Sequence, residues 1–259
     1  MKQNNNVVVK ILVLVFCSLL AAGCMTRTTT GGTKPKIDKA KALEERIQLA
    51  ENYIRSGNRE AARHHLRRAF ELDRNSVEAT AAMARLYEME GEAVLAEEYY
   101  RRALRRDKNM TTTRNDYGSF LFKAMRYEEA LEQFELAAKD LDYNRRAEIL
   151  VNVGRTATKL GNTERAESAY KHANTLNRKL PDALIELADL SFQKRDYAAA
   201  KAYLDRYAAL SAPTPRSLLL GIRIERLFGN KDKEASHVLA LRNLFPYSRE
   251  YLEYKQYFE

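Results

Sequence analysis

The sequence of 259 residues contains no tryptophan, five prolines, ten glycines and only two cysteines. The scarcity of cysteine excludes most. Cys17 lies inside an apolar run near the start, so a chain processed just beyond that run keeps Cys24 alone, and one thiol cannot close an internal disulfide. The four histidines, His64, His65, His172 and His237, fall on segments expected to be second helices of helix pairs, and none is spaced with carboxylates as a zinc motif requires. There is no glycine-rich phosphate loop, no Gly-x-Ser-x-Gly elbow and no mature cysteine free for nucleophilic work. The expectation is therefore a protein that is not an enzyme, with no metal, no cofactor and no small-molecule substrate.

What the sequence does contain begins at its N-terminus. Met1 to Lys10 carries two lysines, the uninterrupted apolar core Ile11 to Gly23 is thirteen residues long, and small residues close it. A membrane-spanning helix needs about 20 residues. The order basic, apolar, small reads instead as a cleaved secretion signal over residues 1–23. Ala21, Ala22, Gly23 and Cys24 resemble the lipobox of bacterial lipoproteins, which implies acylation of Cys24. Each buried CH₂ adds about 0.8 kcal/mol of membrane affinity, and stable anchoring takes two chains or more. By the sorting rule of such lipoproteins, Met25 in place of an Asp after the acylated cysteine implies the periplasmic face of the outer membrane, with the acyl anchor in its lipid.

The formal charge is +9, and Lys2 and Lys10 leave with the signal. A basic balance suits anionic lipid or partner steering; a periplasmic protein meets no chromosome, so no nucleic-acid partner is expected. Residues 24–42 are rich in Thr, Gly and Lys and poor in large apolar side chains, which predicts a flexible tether. Its seventeen residues from Met25 to Lys41 span roughly 20 to 25 Å as a random coil. Lys34, Lys36, Lys39 and Lys41 are placed to touch headgroups.

Beyond the tether the chain repeats. "YIRSGNREAARHHLRRAFELD", "YEMEGEAVLAEEYYRRALRRD" and "TKLGNTERAESAYKHANTLN" share a glycine, an alanine five residues on, a leucine or tyrosine four later and an alanine three after that. Gly57 and Gly91 are 34 residues apart, and the 70 residues from Gly91 to Gly161 fit one more unit at Met125 plus a two-residue insertion. This pattern resembles the tetratricopeptide repeat, which implies an all-α superhelix of helix-turn-helix units. The units are 43–76, 77–110, 111–144, 147–180, 181–214 and 215–246, followed by a capping helix over 247–259.

Where two helices of a unit cross, both need a small residue. The pairs are Ala50 with Ala62, Ala84 with Ala96, Gly118 with Ala130, Gly154 with Ala166 and Ala188 with Ala200. Leu49, Met83, Tyr117, Val153 and Leu187 on first helices, and Leu66, Tyr100, Phe134, Tyr170 and Leu204 on second helices, are the expected core. The proline that closes a unit in this family is replaced by Arg74, Lys108, Asp142 and Arg178, which predicts less sharply stopped helix ends. The sixth unit fits only with a one-residue insertion around "GNKDKEA". Tyr247, Tyr251, Tyr254 and Phe258, spaced 4, 3 and 4, form the apolar stripe of the cap.

The doublets Arg67-Arg68, Arg101-Arg102 and Arg105-Arg106 stand with Glu97 to Arg101 and Glu98 to Arg102 at i, i+4, the pattern of a solvated outer face. On the expected inner face, large apolar residues at Ile47, Ile54, Phe122, Ile185 and Phe192 are candidate anchors for a bound segment, with Glu51, Arg85, Arg155 and Asp189 setting its orientation. Packing against a neighbouring helix explains the same residues equally well.

At the C-terminus, "RNLFPYSREYLEYKQ" places Phe245, Pro246, Ser248, Glu250 and Tyr251. Together with the lipobox and the six units, it resembles the pilotin lipoproteins of type IV pilus biogenesis. That resemblance implies a non-enzymatic assembly factor whose partner is the pilus secretin. The alternative is a general outer-membrane repeat adaptor that scaffolds peptidoglycan enzymes.

Overall fold

The computed structural model describes residues 38–258. The signal at 1–23, Cys24 and the tether up to residue 37 lie outside the described residues. Thirteen helices and no strand are found among those described. They are α1 (Lys39–Arg55), α2 (Arg59–Leu72), α3 (Val77–Glu90), α4 (Ala93–Arg106), α5 (Thr111–Lys123), α6 (Tyr127–Ala138), α7 (Arg146–Lys159), α8 (Thr163–Leu176), α9 (Pro181–Gln193), α10 (Tyr197–Ala208), α11 (Pro215–Leu227), α12 (Lys231–Leu244) and α13 (Arg249–Phe258). Odd-numbered helices up to α11 are the first helices of six pairs, even-numbered ones the second. Lys39 and Lys41, expected in the tether, are helical, because the Asp38 carboxylate accepts from the amides of Ala40 at 3.0 Å and Lys41 at 3.3 Å and starts α1 early.

The turn inside each pair is one structure used six times. At Gly57 the glycine amide bonds to Ile54 O and the next amide to Tyr53 O, and at Gly229 the same two bonds run to Arg226 O and Glu225 O. The turn of the sixth pair therefore contains no extra residue. This turn requires a left-handed residue. Glycine supplies it at Gly57, Gly91, Gly161 and Gly229, while Met125 (φ 58°) and Arg195 (φ 64°) adopt it despite carrying a Cβ.

The links between pairs are stopped more sharply than the missing prolines imply. Asp73 accepts from the Asn75 amide at 2.8 Å, Asp107 from the Asn109 amide at 2.8 Å, and Asn177 from the Lys179 amide at 3.0 Å. Each makes an Asx turn that captures the backbone as the helix ends. The link 139–145 is longer than 73–76 or 107–110, which is where the extra residues of the third unit go.

All ten crossing residues from Ala50 to Ala200 are buried, and Gly118 and Gly154 lie directly against the rings of Phe134 and Tyr170. Nine of the ten expected core residues are buried as well. The exception is Leu49, 39 % exposed. Its counterparts Met83 and Tyr117 pack on the preceding pair, and the described residues hold no helix before α1. The cap buries Tyr251 and Tyr254 against Leu218, Leu219, Ile222 and Leu241. Tyr247 is not part of that stripe. It precedes the first turn of α13 and is 94 % exposed.

Candidate functional site: the inner face of the repeats

Consecutive first helices touch one another, α3 with α5, α5 with α7, α7 with α9 and α9 with α11, whereas second helices pack chiefly on the first helices beside them. The first helices therefore crowd on the inner side, and each presents one row of side chains there. Repeat geometry puts the ninth residue of each unit in that row: Glu51, Arg85, Ser119, Arg155, Asp189 and Arg223.

Most of these charges are bound to neighbours one unit away. Arg85 pairs with Glu51 of the first unit and, at 3.0 Å, with Asp116 of the third. Asn152 donates to Asn115 at 3.0 Å between the third and fourth. Arg155 reaches Glu186 at 2.7 Å and Asp182 at 3.4 Å. Arg216 of the sixth unit closes on Glu186 at 2.8 Å and on Asp189, and Arg223 pairs with Glu253 of the cap. The result is a polar ladder across the unit boundaries, sheltered enough to shift its members. Burial pushes the carboxyls of Asp116 and Asp189 up, with Arg85 and Arg216 opposing. Burial also acts against ionised Glu186, but Arg216 and Arg155 outweigh it and hold the group below the ordinary glutamate value. Glu51, Arg85, Arg155 and Asp189, expected to orient a ligand, are thus each held in place by a partner on a neighbouring unit.

The partners Asp116, Glu186, Arg216 and Glu253 were missed in the sequence reading. Their signal is an opposite charge about one repeat away on the next first helix. Arg85 and Asp116 are 31 residues apart, and so are Arg155 and Glu186.

The apolar candidates divide into two kinds. Ile47 and Ile185, expected on the open face, are core residues: Ile47 packs with Ala50, Ala62, Leu66 and Met83, and Ile185 with Leu184, Ala188, Leu220 and Ile224. The next first helix closes over them, because neighbouring first helices approach too closely to leave that position open. Ile54 is half-buried beside the first of these clusters.

Phe122 and Phe192 are half-buried at the inner edge. Each ring meets the tyrosine five residues on, Phe122 with Tyr127 at 5.2 Å and Phe192 with Tyr197 at 5.4 Å. These are the two turns whose left-handed residue is not glycine. An aromatic contact worth about 0.5–1.5 kcal/mol braces a backbone that costs about 1–2 kcal/mol for a residue with a Cβ. Phe122 also lines an open depression of about 200 Å³ with Ser119, Lys123, Phe134, Asn152 and Arg155.

On the outer face, Arg101 pairs with Glu97 at 2.7 Å as expected, and in addition donates its Nε to Tyr117 Oη at 3.0 Å. Arg102 lies over the Tyr99 ring at 5.7 Å. Arg101 is therefore tied into the boundary between the second and third units and is not simply solvated. The histidines stand on second helices; His65 stacks on Tyr53 with centroids 5.4 Å apart. Among the described residues no three His, Cys, Asp or Glu side chains converge as metal ligands would, and no helix is long and apolar enough to cross a membrane.

Two tetratricopeptide-repeat family models match, one over residues 47–111 and the other over 147–180. The chain is 38 % identical over 245 residues to the type IV pilus assembly protein PilF of Pseudomonas aeruginosa, covering 93 % of this chain and 96 % of that protein. The solved structure of Pseudomonas aeruginosa PilF is similar with a TM-score of 0.80 at 37 % identity, over 84 % of this chain and 98 % of that one. PilW, a widely conserved type IV pilus biogenesis factor, is similar with a TM-score of 0.70 at 26 % identity, over 82 % and 98 %.

Proposed function

The chain belongs to the tetratricopeptide-repeat family of the type IV pilus assembly protein PilF, and from that membership we propose that it is an outer-membrane pilotin. In this reading Cys24 carries the acyl anchor, the residues after it supply reach, and the inner face holds a segment of the pilus secretin while the secretin multimerises. One observation carries the proposal: likeness to PilF extends over 93 % of this chain and 96 % of that relative's length.

The inner-face depression beside Phe122 supports the binding part. It is open, unlike the sites of Ile47 and Ile185, and its polar rim has Arg155 already oriented by Glu186. Binding there draws on an apolar ring in a concave site with a few fixed polar groups.

Ser119→Arg tests this, because it fills the depression without removing the contact of Phe122 with Tyr127. The expected result is a helical, normally located protein accompanied by secretin monomers in place of heat-stable multimers. Abundant multimers in that strain would refute inner-face binding. Cys24→Ser tests the anchor separately: it is expected to lose lipid labelling and outer-membrane fractionation, and normal fractionation would refute the lipoprotein reading.

A further inference from the structure

The groove between α4 and α6, on the outer side of the array, holds more cations than carboxylates. Two adjoining depressions of about 420 and 470 Å³ share Lys108 and Arg114. Their cations are Arg101, Arg105, Lys108, Arg114 and Lys139, and their carboxylates Glu129, Glu132 and Asp140. Only Glu129 is neutralised by a cation outside the pair of depressions; Asp140, bonded to neutral donors, and Glu132 keep their charge in the groove. Glu129 holds Arg126 at 2.6 Å, and Asp140 accepts from the Thr111 hydroxyl and the Asp142 amide.

The cations divide by position along the groove. At one end Arg101 is tied to Glu97. At the other, Arg105, Lys108 and Lys139 are exposed, and their side chains have no partner among the described residues. Arg114 is fixed but not neutralised: its Nε donates to Lys108 O at 2.9 Å and its Nη1 to Gln133 Oε1 at 3.1 Å, both uncharged acceptors. Leu104 and Leu136 are half-buried in the walls.

This groove is bridged at the Arg101 end, by Arg101 with Glu129 at 3.9 Å and Arg126 with Glu97 at 2.7 Å, and is open at the Lys108 end; the two grooves that follow are bridged as well. Arg165 reaches Glu135 at 2.8 Å between α8 and α6, and Arg206 reaches Asn174 at 2.8 Å between α10 and α8. With Arg105, Lys108, Arg114 and Lys139 against Glu132 and Asp140, the groove keeps an excess of two positive charges beside an apolar wall, and an anionic occupant offsets that excess.

We propose that this groove docks an acidic, amphipathic segment of a protein partner. Its carboxylates lie on Arg105, Lys108, Arg114 and Lys139, and its apolar side chains lie over Leu104 and Leu136. A chain segment follows a groove between two helices, whereas a flat anionic bilayer reaches only the rim. The inference is independent of what the inner face binds, because the two surfaces share no lining residue.

The test uses the purified full chain and a fluorescein-labelled synthetic peptide of alternating Glu-Leu pattern, with binding read by anisotropy. Arg105→Glu/Lys108→Glu changes the groove. Arg59→Glu/Arg67→Glu, on exposed positions of α2, makes the same change of net charge elsewhere. The groove variant is expected to bind at least tenfold more weakly and the control less than twofold more weakly. Equal loss in both, or loss in neither, overturns the proposal. Phosphatidylglycerol vesicles form a second arm: lost vesicle binding with unchanged peptide binding overturns it in favour of a lipid surface. Lys108→Glu/Lys139→Glu repeats the peptide measurement from the other wall, and an unchanged affinity there also counts against the groove.

Discussion

Arg155 donates its Nε to Glu186 Oε1 at 2.7 Å across the boundary between the fourth and fifth units, and Arg216 of the sixth unit donates to Glu186 Oε2 at 2.8 Å. One carboxylate, its side chain 12 % exposed, thus joins three consecutive first helices. Glu186→Gln leaves Arg155 with Asp182 alone and Arg216 with Asp189 alone, and is expected to cost about 2 kcal/mol, read as a lower urea midpoint. The pH dependence has a definite sign. Because the folded-state pKa is lowered, the stabilisation is complete above the ordinary glutamate value and is lost as pH falls through the lower folded value. The variant should show a shallower decline of stability on acidification.

A Cβ added at Gly154 would overlap the ring of Tyr170. The ring is buried and cannot swing away. Gly154→Ala is therefore expected to cost about 1–3 kcal/mol through overpacking, despite the better helix propensity of alanine. Arg67→Ala, on the exposed side of α2, should cost less than about 0.5 kcal/mol. Equal urea midpoints for the two would contradict the crossing geometry.

Met125 adopts φ 58° while 74 % exposed. Glycine takes this conformation without the Cβ clash, so Met125→Gly is expected to stabilise the protein by about 1 kcal/mol. Arg195→Gly should act in the same direction. Thermal midpoints raised by a few degrees, with helical content unchanged, are the expected readout.

His237 takes the place against Gly221 that Phe134 takes against Gly118 and Tyr170 against Gly154. Burial lowers its pKa first of all, Lys201 and Lys233 add to this, and Glu225 and Asp205 oppose it. The unfolded chain then takes up the proton before the folded one does. Stability should fall as pH drops through the usual imidazole range and level off below the folded value. His237→Phe is expected to remove that portion of the slope between pH 7 and pH 5, measured by urea unfolding at a series of pH values.

The helix pairs were legible in the sequence because their determinants are local and repeat. A left-handed turn selects glycine, a close crossing selects alanine or glycine on both helices, and a buried stripe recurs with the helical period. Those requirements recur every 34 residues from Gly57 to Gly91, so the register of the small pairs from Ala50 with Ala62 to Ala188 with Ala200 could be read without coordinates. The aromatic bracing of Met125 and Arg195 was equally present, as Phe122 with Tyr127 and Phe192 with Tyr197, but it becomes a signal only once the turn is known to lack glycine.

The open face was not legible in the same way. Whether Ile47 and Ile185 face a ligand or a neighbouring helix depends on how closely consecutive first helices approach, and that distance is set by stacking of whole units. The fate of Glu51, Arg85 and Arg155 depends likewise on side chains about one repeat away. By itself the sequence determined the fold, because each helix pair is specified by short-range sterics and periodicity. Tertiary structure alone decided which inner-face residues are core, which charges are spent on one another, and that the depression beside Phe122 and the groove beside Lys108 stay open, because curvature and pairing across unit boundaries are long-range properties.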